Sequence, residues 1–321
     1  MASSNTEDRV LGALYGLLIG DALGVPYEFS SPQSLPALEL IEFDPPSGFV
    51  RAHRSAPRAA WSDDGAQALC LLESLLHCKK LDLDDLGNRL VNWWDWGYLA
   101  VDGVVFDIGL QTSTALSAIR SGVSATRAGP AEERHNGNGS LMRVLPLALW
   151  HSGSDEQLVD DAARQSLVTH GHVRSQICCA LYSLYARATL DRLDDPWRHA
   201  TAVLRAYCAR HSAWSDELEL HVRPDAEPTG NGTGYAVDCL HSARLALEEP
   251  TFERVVQRAI SLGNDTDTTA AVAAGIAGLR HGLSSIPARW LSTLAGRRLV
   301  DPIAHELLAH LRGRAPRMTV G

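Results

Sequence analysis

The stretch "EDRVLGALYGLLIGDALG", residues 7–24, decides the fold. Glycines 12, 16, 20 and 24 recur every fourth residue, so they share one face of a helix. Each glycine costs about 1 kcal/mol relative to alanine inside a helix. A helix that carries four must gain something, and close backbone approach to a neighbour is the usual gain. The pattern predicts a helix over 7–23 pressed backbone to backbone on another element. It is a packing signal and not a catalytic one.

Outward from there, helical spacing of apolar residues continues. A helix is expected from Asp64 to Leu76, with Leu69, Leu72 and Leu76 on its inner face. Others are expected near 84–98, 110–120, 155–188, 197–210, 235–247, 251–262, 267–281 and 301–312. Residues 42–60, "EFDPPSGFVRAHRSAPRAA", and 211–234 read as long loops, which in compact domains often carry function. No alternating strand pattern, repeat or linker composition interrupts the chain. The expected architecture is all-α, one compact multi-helix domain over residues 1–321, with 1–6 a frayed tail.

Composition agrees. Hydrophobic residues are 45%, charged 21% and aromatic only 6% of 321 residues, so the core leans on Ala, Leu and Val. Asp and Glu outnumber Lys and Arg, 38 against 29, for a net charge of -9. That balance gives no global pull toward a nucleic-acid backbone, while leaving room for a small phosphorylated ligand. The six cysteines, 70, 78, 178, 179, 208 and 239, form no CxxC pair and read as buried reduced thiols. The start "MASSNTEDRV" is polar, and the apolar run "VLGALYGLLIG" that ends at Asp21 is short for a bilayer span. A cytoplasmic monomer without membrane attachment is expected.

Two acidic clusters carry the chemistry. "WSDDGAQAL", 61–69, sets Ser62, Asp63 and Asp64 at a helix start. "SLGNDTDTTAAVAAGIAGL", 261–279, sets Asp265, Thr266, Asp267 and Thr268 at another. Capping and the helix dipole explain either cluster alone. Their recurrence suggests more. Hard oxygen ligands at this density suit Mg²⁺ or Mn²⁺. If the two starts face each other, two ions about 3.5–4 Å apart would offset the repulsion and clamp a sugar and a water. Glu28, in "GDALGVPYEF", reads by itself as a loop acid. Asp107, in "VFDIGLQTSTAL", reads as a helix cap or as a buried acid that needs a reason. The glycine-rich "HNGNGSLMRVLPLAL", 135–149, is a plain loop or a phosphate cradle. His170 and His172, in "VTHGHVRS", are weak metal evidence, and His170 would equally suit a phosphate.

Together these segments, with "GTGYAVDCL" and "WGYLAVDGVVFDIGLQTSTAL", resemble the ADP-ribosylglycohydrolase family, in the family's order and over nearly the whole chain. The resemblance implies an all-α fold with a two-metal cleft. The implied metal ligands are Ser62, Asp63, Asp64, Asp265, Asp267 and Thr268. Glu28 matches an acid that gates or completes the site, and Asp107 the acid proposed as base in the dinitrogenase-reductase type. Asn136, Gly137, Asn138, Gly139, Ser140 and His170 match phosphate contacts. Tyr235 matches a tyrosine that stacks on adenine. One position departs: Gly65 stands where the family usually has threonine, which loses a hydroxyl and weakens the helix start.

The implied activity is hydrolysis of the C1″ glycosidic bond of an ADP-ribosylated protein or small-molecule conjugate, with two Mg²⁺ or Mn²⁺ ions. An arginine linkage is expected, because a carboxylate at Asp107 can hold a cationic guanidinium. The rival readings are a catalytically silent binding protein of this fold, or a two-metal hydrolase of another phosphorylated substrate, serine-linked or O-acyl ADP-ribose included.

Overall fold

A computed structural model describes residues 2–210 and 212–313. Among them lie fifteen α-helices and no strands. In chain order these are α1 Ala2–Gly24, α2 Asp63–Cys78, α3 Leu83–Trp96, α4 Leu110–Arg120, α5 Ala125–Ala128, α6 Leu145–Trp150, α7 Asp155–Leu167 and α8 Val173–Leu190. They continue with α9 Pro196–Cys208, α10 Ser212–Asp216, α11 Ala236–Ala246, α12 Phe252–Ser261, α13 Thr266–His281, α14 Ala288–Thr293 and α15 Arg297–Arg312.

The glycine face of α1 lies against α13, antiparallel to it. A methyl group at Gly12 would sit 2.6 Å from the Gly278 carbonyl oxygen, and one at Gly16 2.6 Å from that of Ala274. Gly20 faces Ala270 and Gly24 faces Asp267 in the same way. The two backbones touch along four turns, which only glycine allows on this face. Tyr182 of α8 closes the other side by donating to the Val272 carbonyl at 2.9 Å. The small-residue helix α13 is thus held on two flanks, and its N-terminus is aimed at the C-terminal end of α1. Gly20→Ala should therefore be costly. Its Cβ would lie 2.7 Å from the Ala270 carbonyl carbon and 2.9 Å from the Ala271 nitrogen, both backbone atoms. Overpacking of this kind costs about 1–3 kcal/mol or more, and urea denaturation should show that loss.

Several sequence expectations need correction. α1 already starts at Ala2, so residues 2–6 are helical and not a tail; Met1 lies outside the described residues. Tethers from distant sequence hold this end: Asn5 accepts from Arg192, and Glu7 accepts from Arg312 at 2.7 Å. Asn5–Tyr27 is long and apolar enough to cross a membrane, contrary to its short appearance, but 94% of that window is buried inside the protein. The helical stretch expected near 155–188 consists of two helices, with a break between Leu167 and Val173. There His172 caps α8 by accepting from the Arg174 amide at 3.2 Å, while His170 turns inward. The loop at 211–234 contains α10 and a π-helical turn, Glu217–Val222. The cysteines are free, and all but the half-buried Cys78 are buried.

Candidate active site

The cleft is built where α1 ends and α2 and α13 begin. Thr266 Oγ1 donates to the Gly24 carbonyl at 2.8 Å, joining the end of α1 to the start of α13. The Phe29 amide donates to the Asn264 carbonyl at 2.6 Å, and the Asn264 amide returns a bond to Ser30 at 2.8 Å. These bonds carry Glu28 to the mouth of α13. On the other side, Asp21 of α1 accepts from the Ser62 amide at 2.8 Å and the Gly65 amide at 2.7 Å. It satisfies free amides at the start of α2 that the helix itself cannot satisfy. Asp21 was not recognised in the sequence as part of the site. Its only signal was an acid ending an apolar helix.

The resulting cavity has a volume of about 530 Å³. Glu28, Asp63, Asp64, Asp107, Asp265 and Thr268 line one part of it, and Gly137, Asn138, Gly139 and His170 another. Helix starts some two hundred residues apart in sequence do face each other, with Thr268 Oγ1 donating to Asp64 Oδ1 at 3.2 Å.

Capping explains little of this cluster. Ser62 does cap α2, its Oγ accepting from the Asp64 amide at 3.3 Å. Asp265 sits at the N-cap of α13 but accepts no capping bond. Its Oδ2 instead accepts from Asn138 Nδ2 at 2.9 Å. Asp107 does not cap α4 either, whose N-cap is Gly109. Asp107 holds a left-handed backbone, φ 61°, a strained conformation that persists only where surroundings impose it.

Burial and mutual repulsion dominate the electrostatics. Desolvation, then Asp107 and Asp21, pushes Asp63 well above the ordinary carboxylate range. Asp64 rises through desolvation, then Asp21 and Asp63; Asp267 through desolvation, then Glu28 and Asp107. Burial and the Asp107 charge push Glu28 up to about 11, and burial pushes Asp107 up to about 7. Most informative are Asp64 Oδ2 and Asp267 Oδ2, which are buried and have no hydrogen-bond partner. A buried unpaired carboxylate oxygen is expensive unless a cation meets it. The oxygens of Glu28, Asp265 and Asp267 lie within 4.8 Å of one another. This all-oxygen donor set fits hard divalent cations. Glu28, Asp63, Asp64, Asp265, Asp267 and Thr268 would hold them; Ser62, expected as a further ligand, does not line the cavity, and its hydroxyl is used in capping α2.

Polar contacts tie this cluster to the glycine loop. Asp63 Oδ2 accepts from Gln67 at 3.0 Å, and Gln67 Oε1 accepts from Arg143 at 3.1 Å. Arg143 also donates to Thr169 Oγ1 at 2.7 Å, which lies 2.8 Å from His170 Nδ1. Arg143 is fully buried, and burial lowers its pKa to about 10. In the sequence Arg143 is an isolated cation in an apolar run, with nothing beside it to mark a buried partner.

The implied phosphate contacts divide. Gly137, Asn138, Gly139 and His170 line the cleft. A methyl group at Gly139 would stand 2.8 Å from His170 Cε1, so glycine lets loop and imidazole touch. Burial, then Arg143, lowers the His170 pKa to about 3, which leaves a neutral ring able to hydrogen-bond but not to supply charge. The Gly137 amide is already given to Gln111 at 2.9 Å and that of Asn138 to Gly234 at 2.9 Å. Asn136 and Ser140 point inward. Asn136 Oδ1 accepts from Ser175 at 3.0 Å, and Ser140 Oγ accepts from Ser166 at 2.9 Å. Both anchor the loop from behind. Tyr235 forms a bridge with Gly137 but lines a neighbouring cavity of about 380 Å³, where its hydroxyl accepts from Arg174 at 3.1 Å. Gly65 faces away from the acids. A methyl group there would lie 2.7 Å from Trp61 Cβ and 2.8 Å from Leu18, so the larger family residue has no space here.

Comparison with known proteins points the same way. A family model described as ADP-ribosylglycohydrolase matches residues 2–317. The ADP-ribosylarginine hydrolase Tri1 of Pseudomonas putida (strain GB-1) is 30% identical over 313 residues, covering 97% of this chain and 80% of that protein. The ADP-ribosyl-[dinitrogen reductase] glycohydrolase of Rhodospirillum rubrum is 27% identical, covering 92% of each. A solved structure titled ADP-ribosylglycohydrolase-related protein complex superposes with a TM-score of 0.75 at 30% identity, over 96% of this chain and 99% of that one. With its helix starts meeting in one acidic cleft and residues 2–317 matched, this chain belongs to the ADP-ribosylglycohydrolase family.

Proposed function

We propose that this protein is a metal-dependent hydrolase that releases ADP-ribose from arginine-linked ADP-ribosyl groups. The observation that carries the reading is the pair of buried, unpartnered carboxylate oxygens, Asp64 Oδ2 in the cleft wall and Asp267 Oδ2 of the residue grouped with the cleft acids Glu28 and Asp265. The relatives named ADP-ribosylarginine hydrolase support the linkage.

Two divalent ions, when bound, would neutralise the acids and polarise ribose hydroxyls and water. The chain's own residues do the rest. Asp107, at the cleft wall, accepts the proton of the attacking water in its ionised form. The water oxygen bonds to C1″, the C1″–N bond breaks, and Asp107 returns the proton to the departing guanidine nitrogen. Before cleavage, its ionised form binds the guanidinium. Asn138 fixes Asp265, and neutral His170 with the glycine loop receives the phosphates. Remote binding energy thereby positions the bond.

The test is hydrolysis of defined peptides with arginine-linked and serine-linked ADP-ribose, with and without Mg²⁺ or Mn²⁺. Faster arginine release that stops on exhaustive chelation is expected. A serine leaving group is neutral and gains less from an ionised Asp107. Faster serine release, or undiminished rates without metal, would refute the assignment.

A further inference from the structure

Glu28 stands where two side-chain groups meet. On one side its carboxyl lies with Asp265 and Asp267, and on the other with His53 and Asp107, each trio within 4.8 Å. His53 Nε2 hydrogen-bonds Glu28 Oε2 and lies 3.7 Å from Asp107 Oδ1. His53 comes from the long loop 42–60, which is pinned here. The Ala52 amide donates to Pro26 at 2.9 Å and the Ala56 amide to the His53 carbonyl at 2.9 Å. The imidazole is gripped between Phe29 and Phe106, with ring centroids 5.5 Å and 5.3 Å away. Its backbone is left-handed, φ 45°. A histidine held this firmly, with Nε2 on a cleft carboxylate, has more to do than cover the loop.

We propose that His53 is a positioning residue for Glu28. It rests on the two-metal reading above. Nε2–H donates to one Glu28 oxygen and fixes the carboxyl so that its second oxygen completes the cation site with Asp265 and Asp267. Carboxylate ligands commonly need such an outer hydrogen-bond partner, whose loss costs about 10–100-fold in metal affinity.

The experiment is Mn²⁺ titration of the full-length protein, followed by electron paramagnetic resonance and calorimetry, with no substrate present. The wild type should bind two ions. H53A should weaken one of them about 10–100-fold and spare the other. Gln places its amide nitrogen where histidine places Nε2, so H53Q should recover most of the loss. Asn tolerates the left-handed backbone but reaches only as far as Nδ1, so H53N should not. An H53A variant with wild-type Mn²⁺ affinities overturns the role of His53 while leaving the metal reading intact. Recovery by Asn equal to that by Gln overturns it too, because His53 would then matter only for backbone shape. A wild type that binds no Mn²⁺ overturns both.

Discussion

Alanine at Asp63, Asp64, Asp265 or Asp267 is expected to cut kcat/KM by on the order of 10³-fold, about 4 kcal/mol in the barrier, while the fold persists. Each of these carboxylates belongs to the acidic cluster, and Asp64 and Asp267 each keep one buried oxygen without a partner. Their removal would take away a cation ligand, whereas the hydrogen bonds given up, from Gln67 to Asp63, Thr268 to Asp64 and Asn138 to Asp265, are worth about 1–3 kcal/mol of stability each. If the acids served only to cap helices, the same variants would lose about 1 kcal/mol of stability and retain turnover. A sharper contrast comes from thermal unfolding without metal. Asp64→Ala removes a buried carboxylate crowded by Asp21, Asp63 and Asp265, so its metal-free Tm should equal or exceed that of the wild type. A variant that loses about 1 kcal/mol of stability and keeps wild-type specific activity would sink this account.

Stability itself should depend on metal and pH together. Asp21 and Asp107 rise to about 7 and Glu28 to about 11, all primarily through burial. Unfolded, each titrates near the ordinary carboxylate value of about 4. Between those values the folded state binds more protons than the unfolded state, so metal-free stability falls as pH rises. The loss begins near pH 4, is complete for Asp21 and Asp107 above about pH 7, and continues for Glu28. Divalent ions need the same groups ionised, and therefore bind more strongly as pH rises. Mg²⁺ or Mn²⁺ at about 100 times its dissociation constant adds about 2.7 kcal/mol per ion, or about 4 °C in Tm for a chain of this size. The metal-induced shift should grow from pH 5 to pH 8, while the metal-free Tm declines. Calorimetric scans across that range decide it, and a shift that is flat or shrinks with pH would refute the cation site.

Much of this was legible without coordinates because it is local. A period of four glycines can only be one helix face, and the face it required proved to be α13. Paired acids beside hydroxyls at two helix starts are visible as residue types, and both clusters reached the cleft. What stayed hidden depends on which groups meet across long sequence distances. Asp21 holds the start of α2 through amides at 62 and 65. His53 reaches Glu28 from a loop with no periodicity to read. Arg143 becomes a buried link only once Gln67 and Thr169 surround it. Asn136 and Ser140 share the motif of Gly137, Asn138 and Gly139, yet they face inward, because side-chain direction in a loop follows from backbone dihedrals and not from order in the chain. The sequence alone determined which chemistry this protein can hold. The tertiary structure alone decided which carboxylates are left without partners, because desolvation and repulsion are properties of the packed cleft and not of any segment.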